Sequence, residues 1–164
     1  MTCPGCGVQL ANQRLAAPDR YHASGECWQL FGELSGYTLA STDATFIHQL
    51  AVDAYGAQHS GGVTKPITTA FSLAGLYLTL ERGYTGWQVQ QAHLELAKQR
   101  KGWPLLPPPE QTADLNVLDV LLTDTDATRE ERLRAWATAV WAGWQPTHAW
   151  VRETFDPMLE QPYV

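Results

Sequence analysis

The chain has 164 residues, the size of one domain, and 45% of them are hydrophobic, a share sufficient for a substantial core. Its formal net charge of −6 and the lack of a long run of Lys or Arg argue against a nucleic-acid partner, because such binding depends on basic groups that meet phosphates. No apolar stretch reaches the roughly 18 residues of a membrane span, and no signal peptide is visible. We therefore expect a cytoplasmic protein with reduced thiols and no membrane partner.

The first third of the chain predicts a loop followed by two helices. Gly, Pro and polar residues predominate up to residue 23 and predict the loop. Ser24 is suited to cap a first helix, and Gly36 to end it. Thr42 and Asp43 are both good N-caps and predict the start of a second helix, which stops before the glycines that follow Ser60.

The middle of the chain predicts the most buried helix. Pro66 fits the first turn of a helix, and residues 67–80 are apolar almost all round, which is typical of a central buried segment. Gly83 is placed to stop this helix. Thr85 then begins a fourth helix that extends to Arg100.

The last third predicts a connector and three helical segments. Three consecutive prolines at 107–109 form a stiff connector, and residues 114–122 form a short helix or turn. A long helix over 128–144 carries an apolar stripe at helical spacing, and a last helix covers 147–155. No alternating pattern of a strand is present, so the predicted class is all-α.

Three cysteines carry the strongest chemical signal. The spacing Cys3-Pro4-Gly5-Cys6 lets one tight turn present two thiolates, and Cys27 supplies a third. This pattern is typical of a zinc knuckle, since a structural zinc site takes four Cys or His ligands. A redox dithiol of the thioredoxin type is disfavoured because no strand precedes Cys3. We therefore predict a single helical-bundle domain over 1–164, with a metal-binding N-terminal loop in 1–23 and the bundle in 24–160.

The fourth zinc ligand must be a histidine or a carboxylate, because no cysteine remains. Sequence spacing favours His22, five residues before Cys27. If the first two helices form an antiparallel hairpin with a rise of about 1.5 Å per residue, His59 lies at the same end as Cys27 and His48 about a turn the other way. We rank His59 first, then His22 and His48.

The second predicted helix carries a polar set made of His48, Asp53, Tyr55, Gln58 and His59. The two histidines lie about 16 Å apart along a straight helix, too far to share one metal. Asp53 is a candidate acceptor that orients a ligating imidazole. The alternative is that Asp53 and Tyr55 bond to the backbone of the following loop. Direct ligation by a member of this set also stays open.

Three blocks of the sequence resemble a known family. The blocks are Cys3-Pro4-Gly5-Cys6-Gly7, Glu26-Cys27-Trp28 and the segment 48–61 with its His-x4-Asp-x-Tyr-x3-His pattern. They resemble an uncharacterised bacterial family of small proteins, a domain of unknown function, over roughly the first half of the chain. That family has a proline after the second histidine, where this chain has Ser60. The resemblance implies that the His–Asp–Tyr–His block belongs with the cysteines, and it implies no activity.

The function expected from these features is a helical module with a structural zinc ion. We predict that it binds an unidentified small molecule or protein, without catalytic residues and without a cofactor other than zinc. One alternative is a zinc-dependent hydrolase with Asp53 or His48 as general base. A second is a thiol redox sensor in which oxidation of Cys3 and Cys6 releases the metal. A homodimer also stays open.

Overall fold

The computed structural model describes residues 1–160, which form seven α-helices and one short 3-10 turn. The helices are α1 (Gly25–Ala40), α2 (His48–Gln58), α3 (Pro66–Leu80), α4 (Gly86–Gln99), α5 (Val117–Leu121), α6 (Asp126–Gly143) and α7 (His148–Leu159). The described part of the chain contains no strand beyond a single antiparallel bridge between Thr2 and Gln9. The predicted all-α class is confirmed.

Side-chain caps fix the start of four helices. Ser24 accepts a hydrogen bond from the Cys27 backbone N–H at the start of α1. Thr85, Asn116 and Thr125 do the same for α4, α5 and α6, and the backbone N–H of each cap donates in return to the side chain of the third helical residue. Ser24 and Thr85 are the caps that the sequence predicts.

The boundary between the first two helices differs from the prediction. Helix α1 continues through Gly36 to Ala40, because this glycine faces open space and nothing forces the chain to turn there. Helix α2 begins at His48 rather than at Thr42 or Asp43. The Asp43 carboxylate accepts hydrogen bonds from the Thr45 hydroxyl and the Ile47 backbone N–H, and this polar turn delays the helix.

The core is built around α2 and α3. Helix α2 contacts α1, α3, α4 and α6, and nine of its eleven residues are buried. Trp136 of α6 and Trp144, which directly follows α6, bond to the end of α2: Trp136 donates to the Gln58 side-chain oxygen and Trp144 to the Ala57 carbonyl. Helix α3 is buried on most of its surface, as predicted. Across residues 1–160, every helix falls short of the length and apolar character that a membrane crossing requires.

Candidate metal centre

The N-terminal turn holds Cys3 and Cys6 in a fixed geometry. The Cys3 backbone N–H donates to the Val8 carbonyl and the Gly7 N–H donates to the Cys3 carbonyl, both at 2.9 Å. Gly7 has a φ of +78°, a conformation that favours glycine. Both cysteines are buried, with exposed fractions of 1% and 4%. The turn therefore presents its two thiols to the interior.

The third cysteine belongs to the first turn of α1. The Ser24 hydroxyl caps this turn and accepts the Cys27 backbone N–H at 3.1 Å, so the cap and the thiol are positioned together. The Sγ atom of Cys27 lies 3.7 Å from that of Cys6. Helix α1 thus brings its N-terminal end directly against the N-terminal turn.

His59 ends helix α2 and is fully buried. Its Nδ1 lies 2.8 Å from the Tyr55 carbonyl oxygen, which can only accept, so Nδ1 carries the proton. The lone pair is then on Nε2, which lies 3.4 Å from the Cys27 Sγ. The Tyr55 ring stacks on the imidazole at 3.9 Å between centroids. The histidine is therefore fixed in the tautomer that can ligate a metal through Nε2.

The ligating atoms of Cys3, Cys6, Cys27 and His59 all lie within 4.8 Å of one another, and we call these residues the knuckle cluster. Zinc bound at about 2.3 Å to sulfur and about 2.0 Å to nitrogen defines a tetrahedron with edges of about 3.8 Å and 3.5 Å. The observed Cys6–Cys27 and Cys27–His59 separations of 3.7 Å and 3.4 Å agree with these edges. The cluster could hold a metal ion.

The three thiols of the knuckle cluster influence one another's protonation. Hydrogen bonds from the Cys27 and Cys6 thiols hold the pKa of Cys3 well below its usual range. Hydrogen bonds to Cys3 and Cys6, with burial, raise the pKa of Cys27. The bond with Cys27 acts to lower the pKa of Cys6, but the bond to Cys3 and burial outweigh it and raise this pKa to about 12. Burial and the coupling between the thiols disfavour the ionisation of all three together, and a bound cation would favour it.

Two residues next to the knuckle cluster support it without being part of it. The Tyr55 hydroxyl donates to the Cys27 Sγ at 3.4 Å, and burial together with the Cys27 charge raises the pKa of this tyrosine. Gly5 leaves room for the imidazole, because a Cβ at this position would come within 2.5 Å of the His59 Cδ2. The sequence did not indicate this second role of Gly5.

The other predicted candidates lie outside the knuckle cluster. His22 donates its backbone N–H to the His59 carbonyl at 2.7 Å, and its ring lies against the glycines at 61 and 62. His48 bonds through Nδ1 to the Thr38 hydroxyl at 2.8 Å. Asp53 accepts from the Gln49 side-chain amide, four residues earlier in α2. The sequence analysis did not predict Thr38 and Gln49 as partners of these residues. The i, i+4 spacing of Gln49 and Asp53 does indicate a contact between their side chains on one helix.

The fold and the knuckle cluster together define a class: an all-α protein whose N-terminal turn meets two helix ends at a buried group of three cysteines and one histidine. The chain belongs to a family of unknown function, DUF5946, whose model matches residues 1–145. The expected membership of a domain-of-unknown-function family is thereby confirmed. No curated protein and no solved structure matches the chain.

Proposed function

We propose that Cys3, Cys6, Cys27 and His59 bind one zinc ion. The observation that carries this proposal is the convergence of three thiols and one imidazole within 4.8 Å of one another in a buried position, with Cys27 at tetrahedral separations from Cys6 and His59. Thiolates with an imidazole are a ligand set that zinc prefers, whereas magnesium and calcium prefer oxygen ligands. The residue set is also the one that the sequence ranks first.

The role that we propose for this zinc ion is structural. Four protein ligands complete a tetrahedron, whereas a catalytic zinc site keeps one position open for water. Asp53 and His48, the general bases of the hydrolase alternative, bond to Gln49 and Thr38 and lie outside the knuckle cluster. Burial of all three thiols also restricts the access of oxidants, which favours a structural site over a redox sensor.

The zinc ion would then join three parts of a binding module. It connects the N-terminal turn, the first turn of α1 and the end of α2, and so positions the surface around them. A cavity of about 220 Å³ lies directly beside the turn, lined among others by Pro4, Gly5, His22, Gln58 and Trp144. We propose that the protein is a non-enzymatic helical module that binds a small molecule or a partner, with zinc as its structural element.

Elemental analysis of metal bound to untagged protein tests the zinc proposal. We expect about one zinc per chain in the wild type, and loss or weakening in Cys27→Ser and His59→Ala, because three ligands bind zinc less tightly than four. His22→Ala and His48→Ala are the matched controls and should keep their zinc. An absence of zinc from the wild type, or an unchanged content in His59→Ala, would contradict the assignment.

A further inference from the structure

A second cavity, of about 230 Å³, lies on another side of α2. Asp53 and Tyr55 are two residues apart, so their side chains diverge by about 200° around the helix, and the cavity is separate from the knuckle cluster. It is enclosed by α2, α3, α4 and the segment before α1. Its polar lining consists of Arg20, Tyr21, Gln49, Asp53, Ser72 and His93, together with Thr68.

Asp53 is the acidic residue in the lining of this cavity. The residue is only 2% exposed, and the Gln49 amide nitrogen donates to both of its oxygens at 3.2 Å. Within residues 1–160 no other side chain or backbone group donates to it, and it makes no ion pair. A carboxylate accepts about four hydrogen bonds, so Asp53 has accepting capacity that no described group uses.

Further polar groups of the lining also have unused hydrogen-bonding capacity. Tyr21 and Ser72 are buried residues, and neither hydroxyl makes a hydrogen bond within the described part of the chain. The Nε2 of His93 lies 2.9 Å from the Phe71 carbonyl oxygen and must donate to it, which leaves a lone pair on Nδ1. Burial lowers the pKa of His93, so the ring is neutral near pH 7. A concave site with a few such groups is typical of ligand binding.

The rim of the cavity has the opposite charge. Arg20 is exposed, its guanidinium lies 5.6 Å from the centre of the Tyr21 ring, and it makes no ion pair with any described residue. The pKa of Tyr21 is raised by burial, while Arg20 acts to lower it and Asp53 to raise it further. The cavity therefore has a basic residue at its rim and an acidic residue in its buried lining.

We propose that this cavity binds a small zwitterion of the amino-acid class, with its ammonium group on Asp53 and its anionic group on Arg20. The ammonium supplies N–H donors that the Asp53 carboxyl group lacks, and its positive charge favours the ionised form of that group. The rings of Tyr21 and Phe71 provide aromatic surface beside it. A cavity of about 150 Å³ is known to accept benzene, so this one suits a ligand of roughly ten non-hydrogen atoms. The proposal names a ligand class for the binding module but does not depend on the zinc site.

Calorimetry and thermal shift with each common L-amino acid in millimolar excess test the proposal. Ethylamine and propionate serve as probes that carry only one of the two charges. We expect at least one amino acid to bind and to raise Tm, and both single-charge probes to bind more weakly. Asp53→Asn should weaken binding by about tenfold or more, because it removes a buried charge-assisted contact. Arg20→Gln should weaken it less, because its ion pair is exposed.

Arg132→Gln, an exposed charge on α6, is the matched control and should bind like the wild type. The proposal is overturned if no amino acid binds, if Asp53→Asn binds equally well, or if ethylamine binds as tightly as the best amino acid. Should Asp53→Asn fail to fold, unchanged binding in Arg20→Gln would still overturn the proposed zwitterion. Zinc content measured in every variant separates these outcomes from a failure of the zinc assignment.

Discussion

The position of the Asp53 side chain depends on a glycine in the neighbouring helix. Its carboxyl group lies against the backbone of Gly75 in α3, and a Cβ at that position would collide with the carboxylate oxygens. The close approach keeps the group away from water, and this burial raises its pKa well above the usual range, although the Gln49 amide acts to lower it. The same burial that shapes the cavity therefore makes the ionised form of Asp53 costly.

The raised pKa of Asp53 predicts a pH-dependent stability. The folded protein binds the Asp53 proton more tightly than the unfolded chain, whose pKa is near 3.8. The free energy of unfolding must therefore fall as pH rises from that value through the folded one, by at most about 1.4 kcal/mol per pH unit. Asp53→Asn cannot titrate, so its stability relative to the wild type should increase with pH across this window. Urea denaturation of the zinc-loaded proteins at a series of pH values measures the difference.

The comparison between the two proteins isolates the carboxyl group. Tyr21, His93 and Arg20 line the same cavity and are present in both proteins, so their titration enters the difference only through its coupling to the Asp53 charge. Helix α3 contributes no titratable group to this lining. A difference in free energy of unfolding that stays constant with pH would mean that Asp53 is ionised in the folded state without cost.

At the scale of the elements, the helices with clear local signals were predicted well. The start of α3 at Pro66 and of α4 after the Thr85 cap follow from capping chemistry alone. The predicted end of α1 and the predicted start of α2 were wrong. Whether the helix stops at Gly36 depends on which side of it faces solvent, and whether a helix starts at Asp43 depends on side-chain hydrogen bonds across the turn. A single sequence does not contain that tertiary information.

The contact between α2 and α3 predicts an unusual response to a glycine substitution. A Cβ at Gly56 would collide with the Ser72 hydroxyl and lie 3.3 Å from its Cβ. Gly56→Ala should therefore lower the free energy of unfolding by about 1–3 kcal/mol, although alanine normally stabilises a helix by about 0.5–1 kcal/mol over glycine. Gly32→Ala in α1, where no atom lies within 4 Å, is the control and should raise it. Equal stabilisation of both variants in urea titrations would refute the close contact.

Across the whole molecule, the knuckle cluster joins residues that are far apart in the sequence. The choice of His59 over His22 and His48 followed from treating α1 and α2 as a hairpin, in which Cys27 and His59 share one end, and the structure places these two side chains in contact. The same hairpin argument could not predict the Asp53 cavity. The cavity depends on how α4 brings His93 to α2, and this requires the packing of elements that are separated by long stretches of chain.

Metal removal should therefore loosen one part of the molecule before the rest. The N-terminal turn has little core of its own and is held by the bonds of the Cys3 and Gly7 amides and by the knuckle cluster, whereas α6 is anchored through Trp136 and Trp144. With a chelator, we expect Tm to fall by about 10 °C or more, because binding of a structural zinc is coupled to folding. Below that Tm, hydrogen exchange should accelerate at the Cys3 and Gly7 amides.

The amides of α6 serve as the internal control for this experiment, because none of the knuckle residues lies in that helix. They should retain their protection in the chelated protein at temperatures below its Tm, and restored zinc should restore protection to the N-terminal turn. Equal acceleration in the turn and in α6 would show that the metal controls the global fold. Unchanged exchange in both would show that the turn is held without a metal ion, and the structural role would be lost.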